Sequence, residues 1–359
     1  LTLKTTPSAA FTSRARTSAV SSNPEASSAS KHGDDKESNR QALKQRSATQ
    51  QRSAVERDRG LQEARRSISF TVMPHRPSIL VSLLTILGLT SLQAGDAVQD
   101  FWFNGAEINR YTLTQSRYGE QHPGHAEFIF VTEPFLTEQQ VKHEHGDHPS
   151  TDVLKLNALR TFNTGIYSYR TMTSTFRPIE LASYPHALKT TTSIQDWCGH
   201  AFQQINRTKS GWKFELRSYF QDAADQDFAL TETWLEDELW LLVRLDPAQL
   251  PTGELQAVPG ALYTRFTHQA IAANQAVGVL KNEARRTTYS LSYPALQRTL
   301  EIHFDTEFPH IIRSWQETDG AHTTNAVLTH RLMNRNYWSE QQPADRAKRS
   351  TLGLAPIAD

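Results

Sequence analysis

From residue 125 onward, apolar and polar side chains alternate in short runs. "HAEFIFVTE" (125–133), "DVLKLN" (152–157), "TGIYSYRTMTSTFRP" (164–178), "LKTTTSIQDW" (188–197), "GWKFELRSYF" (211–220) and "GALYTRFTH" (260–268) each show it, on β-branched and aromatic residues. Near the end come "TTYSLSYP" (287–294), "RTLEIHFD" (298–305), "HIIRSWQET" (310–318) and "NAVLTHRLM" (325–333). A period of two on such residues predicts strands with one buried face. Gly, Pro, Asn and Asp punctuate the gaps, and "TKSG" (208–211) reads as a hairpin loop. A short helix is expected around "NGAEINRY", between Phe101 and Gly119. One longer stretch, "LTETWLEDELWLLVRLDPAQLP" (230–251), places Leu235, Leu239, Leu242 and Leu245 at helical spacing. Thr231 or Thr233 would cap this helix, Pro247 would stop it, and its acids would form a solvent face. The expected fold is mainly β: a large curved antiparallel sheet or partly open barrel with one amphipathic helix covering an opening or edge, and a two-sheet sandwich as the second choice.

The chain has another texture before this region. Residues 1–72 are rich in Ser, Gln, Arg and Ala, which predicts a disordered N-terminal extension, read as upstream translation. Met73 is the first methionine, and "MPHRPSILVSLLTILGLTSLQAGDA" follows it. A basic residue, Arg76, then an apolar run from Ile79 to Leu92, then small residues have the layout of a secretory signal peptide, expected over 73–94 with cleavage after Ala94 or Ala97. The run is shorter than the about 20 apolar residues a spanning helix needs, and no cysteine follows it. The expectation is an exported protein, periplasmic or secreted, neither membrane-spanning after signal removal nor lipid-anchored, with one β-rich domain over 95–340 and a flexible tail at 341–359.

Charge sharpens this division. Residues 1–72 hold 13 Lys and Arg against 7 Asp and Glu, and residues 95–359 hold 24 against 31, so the zero formal charge averages two unlike pieces. The acidic larger part carries no electrostatic footprint for nucleic acid. One cysteine excludes an internal disulfide, so a packed core must supply stability.

Candidate chemistry is sparse. Cys198, the lone cysteine, lies in "TSIQDWCGH" (192–200). On a strand Asp196, Cys198 and His200 would share a face, giving a thiol, a base and its orienter for a hydrolase or thiol-dependent enzyme. The plainer reading packs Cys198 as a small apolar residue beside Trp197 and Phe202. "VKHEHGDHPSTD" (141–152) crowds His143, His145 and His148 with carboxylates in a way zinc or copper would accept, but Gly146 and Pro149 mark a polar loop. No G-x-S-x-G turn and no Gly-rich phosphate loop occurs, and no cofactor is expected. The leading reading is a binding or envelope-maintenance module, in which Trp197, Trp212, Tyr219 and Trp315 line a concave sheet holding an apolar (lipid) or glycan small-molecule ligand.

Four segments carry a resemblance: "KLNALRTFNTGIYSYRTMTSTF" (155–176), "TTSIQDWCGH" (191–200), "EDELWLLVRLDPAQLP" (236–251) and "YPALQRTLEIHFDTEFPHIIRSWQE" (293–317). In this order they resemble an uncharacterised family of exported bacterial proteins, over roughly 101–338, whose members are often labelled "septum formation inhibitor Maf". Genuine Maf nucleotide pyrophosphatases open on Ala-Ser-x-Ser-Pro-Arg-Arg. Here "LASYPHAL" (181–188) is the nearest string and lacks both arginines, so nucleotide hydrolysis is not implied. The resemblance implies export and no particular activity, and makes "DWCGH" a shared feature.

Overall fold

A computed structural model describes residues 101–355. The extension expected at 1–72 and the export signal expected at 73–94 lie outside the described residues.

The described chain is mainly β. Eight strands follow one another as an antiparallel meander: β1 (Ala106–Arg117), β2 (Glu120–Leu136), β3 (Ser150–Thr164), β4 (Tyr167–Pro178), β5 (Lys189–Gln195), β6 (His200–Thr208), β7 (Gly211–Ser218) and β8 (Gln226–Thr231). A two-residue strand β9 (Trp234–Leu235) leads into helix α1 (Glu236–Leu245), strand β10 (Gly253–Val258) and helix α2 (Ala261–Thr267). Five more strands complete the sheet: β11 (Asn274–Asn282), β12 (Arg286–Tyr293), β13 (Arg298–Asp305), β14 (Ile312–Asp319) and β15 (His322–Arg335). The order across the sheet is β8-β7-β6-β5-β4-β3-β2-β1-β15-β14-β13-β12-β11-β10-β9. The pair β9–β10 is parallel and the other pairs are antiparallel. The two edge strands, β8 and β9, are neighbours in the chain, separated only by Glu232 and Thr233. The sheet must therefore curl until its edges approach, and Thr233 spans them. Its carbonyl accepts from Trp212 Nε1 of β7 at 2.8 Å, and its hydroxyl donates to the Gln256 carbonyl of β10 at 2.7 Å. The result is a large curved sheet that is not closed.

Alternation sets which side chains face inward. In β12, Thr287, Tyr289, Leu291 and Tyr293 are buried, and in β13 Arg298, Leu300, Ile302 and Phe304 are buried. The concave side is filled by α1. Trp240 meets Phe128 and Trp315 edge-on, each at 5.5 Å between ring centroids, and those two rings stack at 4.8 Å.

The acids of α1 are not a solvent face, which corrects the sequence expectation. Glu236 and Glu238 are buried, and each is held by an arginine on the sheet. Glu238 pairs with Arg177 of β4 at 2.7 Å, and Glu236 with Arg298 of β13. At the other end of α1, Arg244 makes a two-pronged pair with Glu107 of β1, at 2.9 and 2.7 Å. These anchors lie on β4, β1 and β13, so the one helix ties together strands six places apart in the sheet order. Buried charges require such partners, because an isolated one is strongly disfavoured. The helix also lacks the threonine cap: Leu235 precedes it, and the Leu235 N–H donates to Glu238 Oε1 at 3.2 Å. The helix ends at Leu245, just before Pro247, as expected.

Two further expectations change. "NGAEINRY" enters β1 instead of a helix: Tyr111, Leu113 and Gln115 alternate inward, with β2 on one side and β15 on the other. "GALYTRFTH" is not a strand but α2, where Tyr263 and Thr264 are buried and Phe266 packs on the main core. The segment read as a flexible tail carries helical turns over Pro343–Leu352, and Glu340 pairs with Arg335 at 2.6 Å and with Lys348 at 3.4 Å. No helix of the described residues is long and apolar enough to cross a membrane.

Candidate ligand cavity beside helix α2

In a meander, alternate turns emerge on the same rim. The turns β1–β2, β3–β4, β5–β6 and β7–β8 therefore share one rim, and β14–β15 joins them because Thr114 of β1 pairs with Asn325 of β15. Helix α2 lies at this rim, with a cavity on each flank.

The smaller cavity has a volume of about 270 Å³. Arg117, Tyr118, Tyr263, Arg298, Asp319 and His322 are among its walls. Behind it, beyond Leu262 and Tyr263, lies a space of about 30 Å³ at Glu236, Asp237 and Trp240. Gly260 is needed there: a Cβ at this position would come within 2.7 Å of Glu236 Oε1 and 3.2 Å of Asp237 Oδ1. Asp237 accepts the Ala261 N–H at 3.1 Å and so ties the start of α2 to α1. Burial, then the negative charge of Glu236, pushes the Asp237 carboxyl up to about 7. Glu317 is held below the usual carboxylate range: burial opposes this, but the pairing with Arg160 outweighs it.

The larger cavity, about 730 Å³, lies on the other flank of α2. It falls within the roughly 300–1,000 Å³ of ordinary small-molecule sites. Gln203, Leu216 and Phe228 of strands β6 to β8 form one wall, and Thr264, Arg265 and Ile271 the other. Phe228 and Ile271 pack on a second apolar cluster of Ile205, Trp212, Phe214, Leu235 and Val258, so the floor is apolar. Arg265 is the exception. Its guanidinium sits 3.8 Å over the Phe220 ring, and its Nε and Nη1 are buried without a hydrogen-bond partner. Burial lowers its pKa, and Arg117 adds to that. Three acids line the same cavity, Asp222, Asp225 and Asp227, but all are exposed. Asp227 is paired with Arg217 at 2.9 Å, and Asp225 accepts the Ser218 N–H at 3.2 Å. The buried, unsatisfied group is thus a charged donor in a mixed wall that also holds Leu216, Phe228 and Ile271.

The residues singled out from sequence are scattered. Asp196, Cys198 and His200 do not share a strand face: β5 ends at Gln195 and β6 begins at His200, so Cys198 sits in the turn. Asp196 Oδ1 accepts the N–H groups of Cys198 at 2.7 Å and Gly199 at 3.1 Å, which spends the carboxylate on the turn. Among the described residues no hydrogen bond joins Cys198 to His200. The apolar packing expected for Cys198 is corrected as well, since it is exposed, as is Trp197 beside it. Trp212 and Trp315 are core residues, at 0% and 1% exposure, and do not line a concave surface. Trp197 and Tyr219 stand on the outer rim. His143, His145 and His148 lie in the loop between β2 and β3; His143 Nε2 contacts the Gly146 carbonyl at 3.0 Å, the other two are exposed, and no metal-binding cluster occurs among the described residues.

The sequence reading missed Arg265. It sits in "YTRFT", where alternation predicts a strand. Its stacking partner Phe220 lies 45 residues earlier by position, so only the helical spacing of Leu262, Tyr263 and Phe266 offered a signal.

No family model matches the chain, and no curated protein matches it. Among solved structures it is similar to a β-barrel-like protein of a domain of unknown function, DUF1849, from Brucella abortus, at 8% identity and a TM-score of 0.38, covering 64% of this chain and 96% of that chain.

Proposed function

We propose that this chain is an exported binding module for an apolar small molecule bearing an acidic group, held in the larger cavity beside α2. One observation carries the reading: the two unpartnered guanidinium nitrogens of Arg265 against an apolar floor. A buried donor without an acceptor is disfavoured by about 1–3 kcal/mol, more when charged. A ligand carboxylate at either nitrogen would supply a charged acceptor, while its hydrocarbon covers Phe228, Leu216 and Ile271. The exposed acids at the mouth would disfavour an anion that stays outside, so the apolar tail must supply part of the affinity. Export is supported by the layout of residues 73–97.

Calorimetry with decanoate, decanol and Arg265→Gln tests this. Decanoate should bind wild type, and decanol should bind more weakly. Loss of the charged hydrogen bonds, about 1.5–3 kcal/mol, should weaken decanoate roughly tenfold to a hundredfold in the variant, leaving decanol unchanged. Equal binding of decanoate by wild type and variant would overturn the proposal, as would no binding of either ligand.

A further inference from the structure

The four most exposed large apolar side chains among the described residues are Ile166 (86%), Tyr219 (72%), Trp197 (68%) and Tyr118 (62%). Each stands at a different turn: Tyr118 at β1–β2, Ile166 at β3–β4, Trp197 at β5–β6 and Tyr219 at β7–β8. These turns share the rim that holds α2, and contacts run along it from one to the next. The Tyr118 hydroxyl is 2.9 Å from that of Tyr167 and 2.7 Å from that of Tyr169. Tyr167 lies 6.4 Å from Trp197 between ring centroids. Gly199 packs so closely on Tyr219 that a Cβ there would fall 2.6 Å from the ring. Tyr219 then meets Phe220, over which Arg265 stacks. The opposite rim carries Phe103 (53%), Trp338 (48%), Val141 (45%) and Phe308 (37%), each less exposed than these four.

We infer that this rim docks on a phospholipid bilayer, with Tyr118, Ile166, Trp197 and Tyr219 entering the interfacial layer. Several features favour a bilayer over a protein partner. Trp and Tyr, with an apolar body and a polar tip, are the residues that settle at the membrane–water boundary. The four side chains project from separate turns of one rim, each exposed by more than 60%. Among the acids of these turns, Asp196 is held by its own turn, Asp225 by Ser218 and Asp227 by Arg217, and Glu120 and Asp222 are exposed. The rim presents no cluster of free lysines, so the attraction is apolar and interfacial, not a pull on anionic headgroups. Docking would also bring the mouth of the larger cavity against the lipid, but it does not rest on the cavity being a ligand site.

The chain's one cysteine supplies the probe, because Cys198 is exposed and adjacent to Trp197. The full chain, labelled at Cys198 with an environment-sensitive fluorophore, is mixed with vesicles of equal parts phosphatidylcholine and phosphatidylethanolamine. Co-sedimentation of the unlabelled chain is followed in parallel. The expected result is binding with a blue shift, quenching by spin-labelled lipid, little change on raising salt, and at least a tenfold loss in Ile166→Ser/Trp197→Ser. Decanoate binding in free solution should persist in that variant, which separates this inference from the cavity proposal. A chain that stays in the supernatant overturns the inference, and so does a variant that binds vesicles as well as wild type. Concentration-dependent self-association that the variant abolishes, without vesicle binding, would assign the rim to a second copy of the chain instead.

Discussion

Replacing Glu107 by glutamine removes a negative charge that two guanidiniums share while keeping the shape of the side chain. Glu107 is buried; its oxygens accept from Arg244 at 2.9 and 2.7 Å, from Arg331 at 3.0 Å and from Asn109 at 2.6 Å. Burial pushes its carboxyl pKa up, but the charge and hydrogen bonds of Arg244, then those of Arg331, outweigh it and lower the value from 4.5 to about 2. A depressed folded value means the stabilisation is present above the unfolded value and is lost as pH falls toward the folded one. Two and a half units correspond to about 3 kcal/mol. Leaving Arg244, which is 0% exposed at its side chain, without a counter-charge costs about 3–5 kcal/mol by the general behaviour of buried pairs, in agreement. Urea unfolding followed by circular dichroism should show Glu107→Gln less stable by about 3 kcal/mol at neutral pH, with the gap narrowing by about half near pH 3. The double variant Glu107→Leu/Arg244→Met should recover most of the loss, since apolar replacement of a buried pair is often neutral. A gap below about 1 kcal/mol at neutral pH, or one that does not change with pH, would refute the reasoning.

Other parts of the structure carry their own tests. Asp237 has a raised folded value, so its contribution is full below 3.8 and is lost as pH rises through about 7; Asp237→Asn should flatten that limb and exceed wild type above neutrality by up to about 4 kcal/mol in urea melts. Cys198, exposed in its turn, should react fully with Ellman's reagent in the native protein; reaction only after denaturation would contradict the placement. Gly260→Ala should cost about 1–3 kcal/mol by forcing Glu236 and Asp237 aside, and calorimetric melting that matches wild type would show that the carboxylates yield freely.

Much of the sheet was legible because one face of each strand is buried and the other is not. "RTLEIHFD" and "TTYSLSYP" alternate cleanly and became β13 and β12. Strands β8 and β10 have weaker burial patterns, as edge or near-edge strands do, and were not recognised. Helix α1 was found, but its surroundings were not. A stretch such as Glu236-Asp237-Glu238 looks the same in sequence whether water or Arg298 and Arg177 face it, and those arginines lie 62 and 61 residues away. The same limit hid the candidate site. Arg265 becomes unusual only once Phe220 and the strands β6 to β8 are folded around it.

Hydrogen exchange of the full chain with and without decanoate tests the central claim most directly. The account predicts slowed exchange confined to the segments that wall the larger cavity, 222–228 and 264–271, and abolished by Arg265→Gln. Unchanged exchange there, or protection instead at 115–119 and 317–324 around the smaller cavity, would contradict it.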